Sequence, residues 1–140
     1  MNSEFTVIEK ISFSSDLSNL TKVESLVDVV CEELNLDGEM FGNVLIAVTE
    51  AVNNSIIHGN KFSDSKNVNV EVGLREDTFV FCVSDSGDGF DFTNLPDPTA
   101  PENIEKENGR GIFLIKNLAD ELEYSDNGRV ASIFFNRIHD

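Results

Sequence analysis

Glu50 and Asn54 stand four residues apart in Glu50-Ala51-Val52-Asn53-Asn54. On a helix that spacing points both side chains from one face. An Asn amide oxygen is a neutral hard ligand suited to Mg²⁺, which keeps only one or two protein ligands when phosphates supply others. A Glu one turn earlier can orient or deprotonate an attacking hydroxyl or water. Further along, Asp85-Ser86-Gly87-Asp88-Gly89 follows a run of strand-forming residues. Gly87 and Gly89 let the backbone turn sharply and approach a ligand closely. Gly109-Arg110-Gly111 then opens a helical pattern. The free N–H groups and dipole of a helix start make an anion site there. A carboxylate, a metal-type amide, an Asp ahead of a glycine turn and a glycine-led helix are the parts an ATP site needs. Alone, each is ordinary: a solvated polar face, a turn, helix punctuation. Their weight comes from standing together in this order in one short chain.

Nearby residues offer other chemistry. Asn53 has no evident role beside Asn54. His58 reads as a helix-end residue packing beside the site rather than as a metal ligand. Asp88, Asp91 and Asp97 suggest calcium, but the EF-hand pattern fails because no Glu stands at the twelfth position between two helices. Arg110 offers a cation to a phosphate or to a partner, and Lys106 and Arg110 are the basic residues near the expected phosphates.

The elements that must carry these residues are legible from periodicity. Phe5 to Phe13 alternates loosely as a first strand. Ser14-Ser15-Asp16 is a cap cluster, and Leu17, Leu20, Val23, Leu26, Val27 and Val30 recur at helical spacing up to about Leu34. Asn35 to Gly38 interrupt. A second helix is expected from Glu39 to His58, stopped by Gly59-Asn60. Val68 to Leu74 and Phe79 to Val83 form a hairpin around Arg75-Glu76-Asp77. Residues 92–108 hold all three prolines and little periodicity, so they read as a long loop of the kind that often serves as a lid. A third helix from Gly109 carries Ile112, Phe113, Ile115 and Leu118. Glu121 to Tyr124 and Val130 to Phe135 flank the hairpin turn Ser125-Asp126-Asn127-Gly128. About five strands and three single-striped helices make a two-layer α+β sandwich, with residues 1–140 as one domain.

Bulk properties narrow the function. Twenty-six acidic against ten basic residues give a net charge of −16, which repels a phosphate backbone and argues against nucleic-acid binding. An anionic nucleotide in so acidic a chain requires a divalent cation and helix N-termini for local positive potential. No stretch approaches the roughly 20 apolar residues of a membrane span. The N-terminus has neither the charge nor the apolar run of a signal peptide. Cys31 and Cys82 lie in apolar segments without metal spacing and read as buried free thiols of a reducing cytoplasm.

The order E-x-x-x-N, D-x-G-x-G, G-x-G resembles the N, G1 and G2 boxes of the GHKL ATPases. The resemblance implies the Bergerat fold, a mixed, mostly antiparallel sheet covered on one face by helices, with ATP between helices and lid. It assigns Asn54 to Mg²⁺, Glu50 to the catalytic base, and Asp85 to the adenine amino group. It gives Gly87, Gly89, Gly109, Arg110 and Gly111 to the nucleotide. Ser132 stands loosely where the superfamily often has a Thr that hydrogen-bonds near the adenine. The wording Glu50-Ala51-Val52-Asn53-Asn54-Ser55-Ile56-Ile57-His58-Gly59, with Pro96-Asp97-Pro98 and Gly109-Arg110-Gly111-Ile112-Phe113-Leu114-Ile115, is similar to the bacterial anti-sigma factor serine kinases from about Phe5 to Phe135. Such proteins hold a sigma factor inactive and phosphorylate a Ser or Thr on a STAS-domain antagonist. They commonly dimerise, so a homodimer is among the expected assemblies. A nucleotide-sensing binding module without catalysis is the alternative, and Glu50 favours the enzyme because binding alone needs no base.

Overall fold

The structure, a computed structural model, describes residues 4–63, 65–87 and 107–137, with side chains in the last segment from Gly111 onward. Strand β1 (Thr6–Ser14) leads through a short 3-10 turn (Leu17–Asn19) into helix α1 (Leu20–Glu33). Asp16 caps that entry by accepting from the Ser18 N–H at 2.9 Å. At the other end Asn35 adopts a φ of 56°, and the Leu36 N–H returns to the Cys31 carbonyl at 2.9 Å. This pattern closes a helix C-terminus on a left-handed residue.

Helix α2 (Gly38–Asn54) starts at Asp37, whose carboxylate accepts from the Met40 N–H at 2.9 Å. Its interior is apolar because Val44, Ala47, Val48, Ala51 and Val52 are all buried. The helix does not run on regularly to His58. A π turn (Ser55–Gly59) follows, with the Asn60 N–H bonded to the Ser55 carbonyl at 2.7 Å. One extra residue per turn of this kind is a frequent mark of functional sites.

Strands β2 (Asn67–Arg75) and β3 (Thr78–Ser84) form the expected hairpin, turning at Glu76 with a φ of 54°. Helix α3 (Glu107–Leu118) begins two residues earlier than the glycine pattern suggested. Strands β4 (Glu121–Ser125) and β5 (Val130–Asn136) complete a sheet of order β1-β2-β3-β5-β4. The resemblance implies a mixed sheet; all four pairings among the described residues are antiparallel.

The helices cover one face of this sheet. Val68, Val70 and Val72 of β2, Phe79, Phe81 and Val83 of β3, and Ile133 and Phe135 of β5 meet Val23, Val27 and Val30 of α1 and Val44, Val48 and Val52 of α2 in one core. Phe79 and Phe135 stack across the β3–β5 pair with ring centroids 5.3 Å apart. Each such fully buried aliphatic or aromatic side chain stabilises the fold by roughly 1.5–3 kcal/mol. The alternate residues point to the other face, where Phe5, Val80 and Cys82 form a small second cluster beside Phe134. Strand β3 is therefore apolar on both sides, which explains its unbroken Phe79-Val80-Phe81-Cys82-Val83 run.

One expectation needs revision. The 22 residues Gly38–Gly59 are long and apolar enough, by length and composition, to cross a membrane. Val44, Ala47, Val48, Ala51, Val52 and Ile56 instead pack into the core, Ile46 is exposed, and Glu39, Glu50, Asn53 and Asn54 punctuate the segment. The hydrophobicity is that of a central helix wedged between α1, α3 and the sheet.

Candidate nucleotide site

The strand period delivers Asp85 to the site. Phe79, Phe81 and Val83 face the helices, and Asp85 is the next residue in that phase. Its backbone N–H donates to the Arg129 carbonyl at 3.0 Å, fixing the end of β3 to the start of β5. Its Oδ1 accepts from the Gly87 N–H at 2.9 Å, a side-chain-closed turn. Burial pushes the Asp85 carboxyl above its ordinary range. The Gly87 N–H, the Ser55 hydroxyl and the positive charges of Arg129 and Lys66 pull the other way.

The end of the π turn presses against this loop. A β-carbon on Gly59 would fall within 2.8 Å of Asp85 Oδ1 and closer still to Oδ2. A β-carbon on Gly87 would overlap the Gly59 carbonyl. Asp85, Gly87 and Gly59 thus interlock at a separation only glycine permits. Two further side chains hold the loop: the Asn60 Oδ1 accepts from the Ser86 N–H at 2.9 Å, and Arg129 Nε donates to the Gly87 carbonyl at 2.6 Å.

A second contact lies one turn back on α2. A β-carbon on Gly111 would be 3.0 Å from Glu50 Oε2, 3.3 Å from Asn54 Nδ2 and 3.5 Å from Asn54 Oδ1. The carboxylate and amide of the E-x-x-x-N pair therefore meet α3 at Gly111. Among the described residues Asn54 Nδ2 is buried without a hydrogen-bond partner. A buried amide in that condition costs stability and is available to a ligand. Since α3 starts at Glu107, Gly109 and Arg110 lie in its first turn, where N–H groups have no intrahelical acceptor.

Between these contacts opens a cleft lined by Asn54, Asp85 and Gly59, with Ile112, Tyr124 and Ala131 among its apolar walls. Burial raises the Tyr124 phenol well above its ordinary range. His58 lines the cleft with an exposed ring. Among the described residues no three His, Cys, Asp or Glu side chains gather as a metal cluster. The donor set at Asn54 fits a cation that draws most of its ligands from phosphate.

The structure brings Glu50, Asn54 and Gly111 together, and separately Asp85, Gly87 and Gly59. Ser132 does not join them. On β5, Ala131 and Ile133 face the helices, whereas Ser132 pairs with Cys82 on the opposite face, 3.5 Å between Oγ and Sγ. Its hydroxyl borders a groove with Phe5, Arg75 and Phe134, with the sheet between it and the cleft. Gly89, Asp88, Asp91, Asp97, Lys106 and the lid at 92–108 up to residue 106 lie outside the described residues, as does the side chain of Arg110. Three contributors had no functional reading from sequence: Gly59, Asn60 and Arg129. Asn60 stood out only as helix punctuation, and Gly59 as that and as the last residue of the stretch beginning at Glu50.

The profile of the histidine kinase-like ATPase domain matches residues 13–134, from the end of β1 through most of β5. The chain belongs to that family. The chain is 29% identical over 103 residues to a serine-protein kinase RsbW of Oceanobacillus iheyensis, covering 69% of this chain and 65% of that protein. It is 35% identical over 96 residues to a serine-protein kinase RsbW of Staphylococcus aureus strain JH9, covering 63% and 60%. The alignments thus span a little under two thirds of the length of each relative.

Proposed function

We propose that this chain is an ATP-dependent serine/threonine protein kinase. In this reading it acts as an anti-sigma factor or related partner-switching regulator and phosphorylates a STAS-domain antagonist. The observation that carries the reading is the contact of Glu50 and Asn54 with Gly111 at the α2–α3 junction. Similarity to proteins named serine-protein kinase supports it.

Asp85, in the helix-facing phase of β3, accepts the adenine amino group and so selects adenine over guanine. Apolar walls at Ile112 and Ala131 bury the base. The first-turn N–H groups of α3, including those of Gly109 and Arg110, receive phosphate oxygens, and Gly111, without a side chain, lets the nucleotide come close. The Asn54 amide oxygen would hold Mg²⁺, which when bound supplies charge neutralisation on the phosphates. Glu50 accepts the proton of the attacking Ser or Thr hydroxyl. In-line positioning and charge stabilisation account for the remaining acceleration. Gly87 and Gly89 shape the loop around the nucleotide. The expected setting is the cytoplasm, with a sigma factor, a STAS-domain protein and a second copy of the chain as partners. Neither nucleic acid nor a membrane is expected as a partner.

Intact-mass spectrometry of a STAS-domain partner after incubation with this chain and Mg-ATP tests the reading. A one-phosphate gain that disappears with Glu50→Ala, while that variant still binds ATP, is the expected result. No gain alongside confirmed ATP binding moves the chain to a nucleotide-sensing binding module.

A further inference from the structure

Asn60 is 2% exposed and uses its amide at three places. Its Oδ1 accepts from the Ser86 N–H at 2.9 Å. Its Nδ2 donates to Ser15 Oγ at 2.7 Å and to the Asn67 carbonyl at 3.1 Å. Ser15, itself buried, donates onward to the Lys66 carbonyl at 2.9 Å. One side chain therefore ties the end of β1, the start of β2 and the π turn to the backbone between Asp85 and Gly87. A buried amide with both ends satisfied is rigid, because any rotation leaves a polar atom unpaired.

The location of that tie is functional rather than merely central. Gly59 abuts the Asp85 carboxylate, and Asn60 holds the next peptide of the same loop. The last residue of the π turn and the residue after it thus press on the Asp85 side chain and pin the Ser86 backbone. Arg129 grips the same loop one residue further on, at the Gly87 carbonyl. Without Asn60 the Ser86 N–H loses its acceptor, and the loop keeps only the Arg129 contacts, the Gly87 N–H to Asp85 Oδ1 bond and the Ser55 hydroxyl. The carboxylate could then swing by the few tenths of an ångström that separate a good hydrogen bond from a poor one.

We propose that Asn60 is a positioning residue for base selection: through the Ser86 N–H it holds the Asp85 carboxylate where only an adenine amino group satisfies it. The inference rests on Asp85 being the adenine acceptor. The fold-side bonds to Ser15 and Asn67 anchor the amide, while the bond to Ser86 transmits its position.

The test is a set of nucleotide affinities and melting temperatures for the full chain. Asn60→Ala is expected to weaken ATP by about tenfold and leave GTP nearly unchanged, collapsing the ATP-to-GTP preference. Asn60→Asp keeps an acceptor for Ser86 and loses the donors; it is expected to melt lower yet keep the preference. Ser15→Ala removes a fold-side bond only, and it too should melt lower with the preference intact. A lowered melting temperature in Asn60→Ala with an unchanged preference would make Asn60 purely structural and overturn the proposal. If Asn60→Ala does not fold, the wild-type Asn60 side-chain amide resonances decide. They should move on saturation with ATP and stay fixed with GTP, and no movement with ATP overturns the proposal. Failure of the underlying reading looks different: the wild-type chain itself then binds ATP and GTP equally.

Discussion

Gly59 and Asp85 are packed so tightly that a β-carbon on the glycine would fall 2.8 Å from Oδ1 and clash outright with the nearer Oδ2. The two residues come from different layers, one from the end of the central helical segment and one from the end of β3. Their contact joins the helix that carries Glu50 and Asn54 to the carboxylate assigned to the base.

Gly59→Ala should therefore damage the site more than a surface glycine change. The added methyl displaces the carboxylate or opens the π turn, at a cost of about 1–3 kcal/mol for overpacking. Thermal melting with and without ATP checks this. A variant with wild-type stability and wild-type ATP affinity would show that the contact relaxes freely.

Asp85 links affinity to pH. Burial raises its folded pKa above the ordinary value of 3.8. A raised carboxyl pKa means the folded chain holds the proton more tightly than the unfolded one. The stability that this contributes is greatest below the unfolded pKa and is lost as pH rises through the folded pKa. ATP binding runs the opposite way, because the charged carboxylate is the stronger acceptor. Affinity should fall on acidification at a higher pH than an exposed aspartate would give. Asp85→Asn should remove that pH dependence, weaken ATP relative to GTP, and raise the melting temperature at neutral pH. A melting temperature lowered by Asp85→Asn would contradict the burial argument.

Asn54→Ala removes a buried amide nitrogen that has no partner among the described residues. The fold should lose little, within about 1 kcal/mol, because no hydrogen bond through that nitrogen is broken. Metal-dependent ATP binding should disappear. Titration calorimetry with ATP in the presence of Mg²⁺ and of chelator separates the two effects. Unchanged Mg-ATP affinity would remove Asn54 from the metal site.

The thiols offer an independent check of the core. Burial and the nearby Asp28 push Cys31 up to about 11, and burial raises Cys82 as well. Both are free and buried. Labelling with an aromatic disulfide reagent at pH 8 should be slow in the native chain and fast in denaturant, since the thiolate is the reactive form. Rapid native labelling of either cysteine would mean that its segment opens readily.

Much of the arrangement was legible because it obeys simple periods. The i, i+4 rule paired Glu50 with Asn54, and both meet Gly111. Alternation in Phe79-Phe81-Val83 would itself have aimed Asp85 at the helices. The same alternation corrects Ser132, which shares the phase of Phe134 and so faces away from the cleft. Gly59 and Asn60 read as punctuation because their partners, Asp85 and Ser86, are brought to them only by tertiary approach. Arg129 was invisible for the same reason: its target is the backbone carbonyl of Gly87, 42 positions away. The π turn escaped because its apolar pattern scarcely differs from that of a continuing α-helix.

That turn makes the cleft intolerant of changes in chain length. A helix advances by about 100° per residue, so the extra residue accommodated between Ser55 and Gly59 rotates everything after it by about that angle. Deleting one residue there would keep Glu50 and Asn54 where they are and swing Gly59 and Asn60 away from the β3 end. Sequence drift can exchange side chains along this stretch one at a time. A single insertion or deletion would instead uncouple the Glu50–Asn54 half of the cleft from the Asp85 half in one step.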